Sequence, residues 1–143
     1  MKAALLYEPE VIRIAEVPDP VLKAGEVLVE LKSCGVCATD VKKFTGKSKS
    51  PFLPFILGHE PAGIVRALGE NTSAQLKEGD RVAIAPVITC GGCPNCMSGR
   101  TTLEGMGMCD HYEVIGFSMN GAFCESVAAP AAKPAANASS PAR

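Results

Sequence analysis

Cys90-Gly91-Gly92-Cys93-Pro94-Asn95-Cys96, followed by Cys109 thirteen positions on, is the stretch on which the reading of this chain turns. Three cysteines stand at three-residue intervals, and a fourth can fold back onto them. Four thiolates make a closed tetrahedral site, the usual ligand set of structural zinc. Gly91 and Gly92 tolerate a positive φ and Pro94 fixes its own, which suits a backbone curling around an ion. Two blander readings compete with this one. The cysteines could be buried small residues, or a redox pair of the CxxC kind. A redox pair starts a helix beside a βαβ pattern, and the chain shows no such pattern. Asp110 and His111, next to Cys109, are substitutes for the fourth ligand.

At 143 residues the natural count is one domain, long enough to bury a core without disulfides. The formal charge of −1 gives no reason to expect nucleic acid or an anionic membrane as partner. No apolar run reaches the ~20 residues that span a bilayer. The stretch Met1-Lys2-Ala3-Ala4-Leu5-Leu6-Tyr7-Glu8 is too short in apolar residues for a signal peptide. These features imply a cytoplasmic protein with reduced thiols. Seven cysteines in that setting point toward metal or catalysis.

Working outward from the cysteines, apolar runs at 2–8 and 11–16 flank Glu8-Pro9-Glu10 and read as a β-hairpin. Strands are expected at 26–32, 63–69, 81–86, 112–117 and 122–127. A short helix is expected over 38–46, with Thr39 or Asp40 capping its start and Gly46 ending it. Many short strands with Gly/Pro turns and little helix predict a mainly β fold, a small barrel or sandwich. From Ala128 onward the chain is rich in Ala, Pro and Ser and holds no large apolar residue. Such a segment buries too little to offset its ordering entropy. The expectation is a domain over 1–128 and a disordered tail over 129–143.

A second group of metal-binding side chains is Cys37, His59 and Glu60. A catalytic zinc takes about three protein ligands and keeps one position open. Thiolate, imidazole and carboxylate all suit it. A lone Cys and a lone His can equally serve structure alone. Thr39, two places after Cys37, carries a hydroxyl able to pass a proton. Asp40 could accept the second imidazole N–H of His59 and fix its tautomer. Cys34 reads as core packing and Cys124 as a spare thiol. No G-x-G-x-x-G follows a strand, so the dinucleotide fingerprint is absent from these residues.

Four motifs stand in the order and spacing of a known family: Gly35-Val36-Cys37-Ala38-Thr39-Asp40, Leu57-Gly58-His59-Glu60-Pro61-Ala62-Gly63, Gly79-Asp80-Arg81-Val82 and the Cys90, Cys93, Cys96 run. From Met1 to about Pro130 the chain resembles the N-terminal, GroES-like catalytic domain of the zinc-dependent medium-chain alcohol dehydrogenases. The resemblance implies a partly open barrel with a short helix and a zinc-binding cysteine lobe. It implies Cys37, His59 and Glu60 as ligands of a catalytic zinc, Thr39 as the start of a proton relay, and Asp40 behind the ligands. It implies Cys90, Cys93, Cys96 and Cys109 as the structural zinc site. In the complete family, zinc acts as a Lewis acid on an alcohol or polyol while hydride passes to NAD(P)+. The chain departs from the family at Ala38, where some members carry a basic residue, and at Lys42, where some carry a relay histidine. The Cys96–Cys109 spacing is longer than usual. Without the family's nucleotide-binding domain, these 143 residues alone are expected to be inactive. The bared cleft around Cys37 and His59 is expected to promote self-association. The alternative function is a non-catalytic zinc-binding interaction module.

Overall fold

The apolar runs on either side of Glu8-Pro9-Glu10 do form a hairpin. Strand β1 (Lys2–Glu8) pairs antiparallel with β2 (Val11–Glu16), and Glu10 takes the positive φ of 66° that the tight turn needs. The computed structural model describes residues 1–72, 75–98 and 109–131. After the hairpin come β3 (Glu26–Gly35), α1 (Ala38–Phe44), β4 (Phe55–Ile56), β5 (Glu60–Leu68) and β6 (Arg81–Ala83). The cysteine lobe follows, with β7 (Val87–Ile88), α2 (Pro94–Met97) and β8 (Glu113–Val114), and β9 (Ser126–Pro130) comes last. The strands make three sheets, ordered β2-β1-β4, β6-β5-β3-β9 and β7-β8. Among the described residues these strands all pair antiparallel. The architecture is mainly β, with a short helix and a cysteine lobe, and no barrel closes among the described residues.

Alternation along β3 and β5 places the core. Val27 and Val29 on β3 and Val65 on β5 form one buried cluster, and Val29 stands directly opposite Val65. Both are 0% exposed, and a valine so buried contributes about 1.5–3 kcal/mol. A second cluster gathers Leu6, Phe55 and Leu57, and a third Ala3, Leu5 and Ile56; Phe123 packs against both.

Several expectations are corrected. The helix is capped by Cys37, not by Thr39 or Asp40. Asp40, three residues into the turn, reaches back to accept the Cys37 N–H, as the acidic partner of a capping box does. The strand expected over 81–86 stops at Ala83. The one expected over 112–117 shrinks to two residues, because Phe117 and Ser118 both donate to the Val114 carbonyl and close a turn. The stretch 122–125 is not a strand: Ala122 and Phe123 donate to Gly58 and Leu57, while the Phe123 carbonyl accepts from Ala4. The tail boundary also moves. Ala128, Ala129 and Pro130 pair with Leu28, Val27 and Glu26, and Ala131 N–H donates to the Gly25 carbonyl at 2.8 Å. A backbone ladder, which needs no bulky side chain, holds this segment. The remainder of the expected tail, 132–143, lies outside the described residues, as does 99–108 of the lobe.

One side chain fixes how α1 meets the start of β5. Asp40 is 3% exposed; its Oδ2 accepts the Cys37 N–H at 2.9 Å and its Oδ1 accepts the Gly58 N–H at 3.0 Å. A carboxylate offers two acceptor oxygens, whereas a side-chain amide offers one acceptor oxygen and an NH2 group that only donates. In Asp40→Asn one of these buried backbone donors loses its partner, which costs about 1–3 kcal/mol. The urea midpoint of Asp40→Asn is therefore expected to fall with an unchanged slope. An unmoved midpoint would show that the two bonds do not hold the helix to the strand.

Candidate metal centres

The cysteine lobe is built around the start of α2. Cys93 is its N-cap, Pro94 occupies the first turn, and the Cys96 N–H points at the Cys93 Sγ at 3.4 Å. Short spacing then does the rest. Cys93 and Cys96 sulfurs lie 3.4 Å apart, Cys90 and Cys96 sulfurs 3.8 Å, and the Cys90 N–H reaches the Cys109 Sγ at 3.4 Å. All four sulfurs fall within 4.8 Å of one another. A tetrahedron with zinc–sulfur bonds of about 2.3 Å has edges of about 3.8 Å, so the group fits zinc with little movement. Of the candidates for the fourth ligand, Cys109 completes the group; Asp110 instead accepts from the Asn95 amide at 3.3 Å.

The thiols are not equivalent. Backbone N–H groups, that of Asp110 first and Cys96 next, draw the Cys93 thiol down to about 6. Cys109 is lowered as well, chiefly by the Cys90 N–H. Burial, and then the neighbouring Cys93, push Cys96 up to about 12. The backbone thus favours some thiolates, while crowding resists the full set. A divalent cation among the four sulfurs removes that conflict.

The second centre forms where two chain junctions meet. Cys37 lies between β3 and α1, and His59 and Glu60 lie at the entry to β5. Gly58 makes the approach possible. Its φ is +92°, and a Cβ there would stand 2.5 Å from the Phe123 ring. Gly35 likewise leaves room for the Glu60 carboxylate, which a Cβ at that position would strike. One ligand atom from each of Cys37, His59 and Glu60 lies within 4.8 Å of the others. His59 is buried, Cys37 half-buried and Glu60 exposed, so the group opens to one side. These are the two groups of three or more such side chains among the described residues.

The imidazole is held from several sides. Thr39 Oγ1 is 3.4 Å from His59 Nε2, and Asp40 Oδ1 is 3.5 Å from Nδ1. At that length Nδ1 makes no hydrogen bond, although it is buried. Asp40 therefore faces the imidazole, as expected, while its own bonds go to the backbone of Cys37 and Gly58. The Phe117 ring stands edge-on to the imidazole at 5.0 Å between centroids. A buried imidazole grouped with a thiol and a carboxylate fits a site whose donors suit a cation.

Neither Phe117 beside the imidazole nor Lys43, which is buried beneath that ring, was expected from sequence. A turn phenylalanine and a helix lysine carry no local signal of burial. Val36 and Val41 are 71% and 50% exposed. With Phe44 and Phe123 they line an apolar cleft of about 270 Å³ beside Asp40. Cys34 and Cys124 belong to neither metal group and line a separate cleft of about 400 Å³. Burial raises both thiols, Cys124 to about 11, which keeps them protonated and unreactive at neutral pH.

Comparison with known proteins agrees with this geometry. The profile of the alcohol dehydrogenase GroES-like domain matches residues 23–138. An alcohol dehydrogenase from Moraxella sp. (strain TAE123) is 41% identical over 134 residues, which are 92% of this chain and 38% of that protein. Among solved structures, a thermostable alcohol dehydrogenase from Pyrobaculum aerophilum, bound to cobalt and zinc, superposes with a TM-score of 0.77 at 30% identity. That match covers 92% of this chain and 39% of the other. A short chain alcohol dehydrogenase from Escherichia coli CFT073, in complex with NADH, gives 0.77 at 34% identity over 92% of this chain and 36% of the other. The chain thus spans about 38% of the length of the first curated relative it matches. With its fold, its cysteine lobe and its motifs all in agreement, the chain belongs to the family of alcohol dehydrogenase GroES-like domains.

Proposed function

We propose that this chain is the zinc-binding catalytic domain of an NAD(P)-dependent alcohol or polyol dehydrogenase. The observation that carries the reading is the convergence of Cys37, His59 and Glu60 on one point, beside a four-cysteine lobe that closes by itself. Cys90, Cys93, Cys96 and Cys109 hold a structural zinc. Cys37, His59 and Glu60 hold a second zinc, which would supply Lewis-acid polarisation of an alcohol oxygen. The protein residues divide the remaining work. Asp40 fixes the backbone of Cys37 and Gly58, and so the separation of thiolate from imidazole. Thr39 Oγ1, next to His59 Nε2, is placed to take a proton from a substrate hydroxyl and pass it outward. Val36, Val41 and Phe123 line an apolar cleft beside Asp40 whose surface suits a small carbon chain. The relatives in complex with NADH and with zinc support the cofactor assignment. No helix among the described residues is long and apolar enough to cross a membrane. Free thiolate ligands of this kind suit the reducing cytoplasm, where we place the protein.

The rival reading, an interaction module that needs only the cysteine lobe, is separated by metal counting. Elemental analysis of undenatured protein is expected to find about two zinc ions per chain, one for each group of ligands. His59→Ala should lose one of them and keep the fold, whereas Cys93→Ser should lose the other and disorder the lobe. A single ion that survives His59→Ala would favour the module.

The 143 residues alone are expected to give no NAD(P)H from primary alcohols, secondary alcohols or polyols, since they carry no dinucleotide fingerprint. Sustained absorbance growth at the NAD(P)H wavelength would overturn that. The apolar cleft at Val36 and Val41 should also drive association of the isolated chain. Sedimentation velocity is expected to show a weight-average mass rising with concentration, and a constant monomer mass would count against it.

A further inference from the structure

Lys43 is charged, only 5% exposed, and part of neither metal group. It sits on α1 three residues after Asp40. Its Nζ donates to the carbonyl oxygens of Gly116 at 3.1 Å and Phe117 at 3.2 Å, and lies 4.7 Å from the ring centroids of both Phe55 and Phe117. Burial pushes its ammonium below the usual lysine range, and the Asp40 charge opposes that. A cation kept in such a place is costly unless its bonds achieve something an apolar side chain would not.

What the bonds achieve is visible one contact further on. The two carbonyls belong to the turn that carries Phe117, whose ring stands 5.0 Å from the His59 ring at 71°. The same turn presses on the approach to His59, since a Cβ at Gly116 would lie 2.5 Å from the Gly58 carbonyl oxygen and 3.3 Å from the His59 Cβ. His59 Nδ1 has no hydrogen bond to orient it. Nε2 has the Thr39 hydroxyl at 3.4 Å, a long contact that fixes the ring weakly, so packing shares in setting the plane of the imidazole, and Phe117 supplies one wall of that packing. Asp40 and Lys43, from one short helix, hold the two sides of the histidine: the carboxylate takes the backbone before it, and the ammonium takes the turn against it.

We propose that Lys43 is a positioning residue that fixes the His59 imidazole by clamping the Gly116–Phe117 turn. The consequence for metal binding rests on the reading of Cys37, His59 and Glu60 given above, but the claim about the imidazole stands without metal.

The chain has two histidines, so His59 can be followed by imidazole ¹⁵N relaxation with His111 as internal reference. In metal-free protein, Lys43→Met, which keeps the length of the stem and removes the donors, should loosen the His59 ring and leave His111 unchanged. Lys43→Arg, which keeps the charge and the donors, should restore it. With Co²⁺ as probe, Lys43→Met should weaken the one-thiolate site about tenfold or more, the range for a group behind a metal ligand. The four-thiolate site, told apart by its charge-transfer bands, should be unaffected. An unchanged His59 ring in Lys43→Met overturns the proposal, and so does an equal loss at both cobalt sites, which would mark a general structural defect. If Lys43→Met does not fold, Phe117→Leu decides: it removes the ring contact and leaves the carbonyls to Lys43. A loosened His59 upholds the proposal and an unchanged one sinks it. A wild-type chain that takes up only the four-thiolate cobalt would defeat the reading of the second metal site, while the relaxation result would still judge Lys43.

Discussion

A single buried carboxylate couples the parts of the second centre. Asp40 has two oxygens and uses both on backbone N–H groups, one in front of α1 and one in front of His59. Without it, the helix that follows Cys37 and the chain that brings His59 would be tied mainly through the sheet. Buried acceptors bonded to two separate segments are costly to lose, and so they define a distance more firmly than apolar contact does. The sheet beneath supplies the other half of the constraint. β3 and β5 pair from Val27–Leu68 as far as Gly35–Glu60, so the ladder itself delivers Glu60 beside the residues that lead into Cys37.

The two metal groups differ in how their geometry is produced. In the lobe it is nearly all local: Cys90, Cys93 and Cys96 lie within one loop and one turn of helix, and only Cys109 comes from farther along. In the second centre it is assembled from distant segments, and it depends on glycine at 58 to let the chain pass the Phe123 ring. The first arrangement suits an ion that stabilises shape. The second leaves one ligand exposed and one side open, which suits an ion that must meet something.

These differences explain what could be read from sequence. The cysteine spacing and the hairpin around Glu8-Pro9-Glu10 were legible because their information is local. Cys37, His59 and Glu60 are weak as an isolated pattern and became legible through the motifs around them. Residues 129 and 130 were misread because alanine and proline carry no strand pattern, and their order comes from the backbone of β3. The burial of Lys43 was invisible because its partners lie 73 and 74 positions away. The capping of α1 by Cys37 was missed because cysteine is not among the usual capping residues; the signal was Asp40, at the reciprocal position of the box.

The pairing of β9 with β3 carries a geometric consequence. Pro130 lies across from Glu26, at the beginning of β3, whereas Gly35, next to Cys37, is at its far end. Nine residue steps at about 3.3 Å separate the two, or about 30 Å along the sheet. Pro130 therefore stands at the pole remote from Glu60. The edge strand β9 steadies β3 over Glu26–Glu30 only, and the ladder with β5 alone carries the sheet on to Gly35 and Glu60. The half of β3 that leads into Cys37 is thus braced on one side by a strand and, among the described residues, left without a strand on the other.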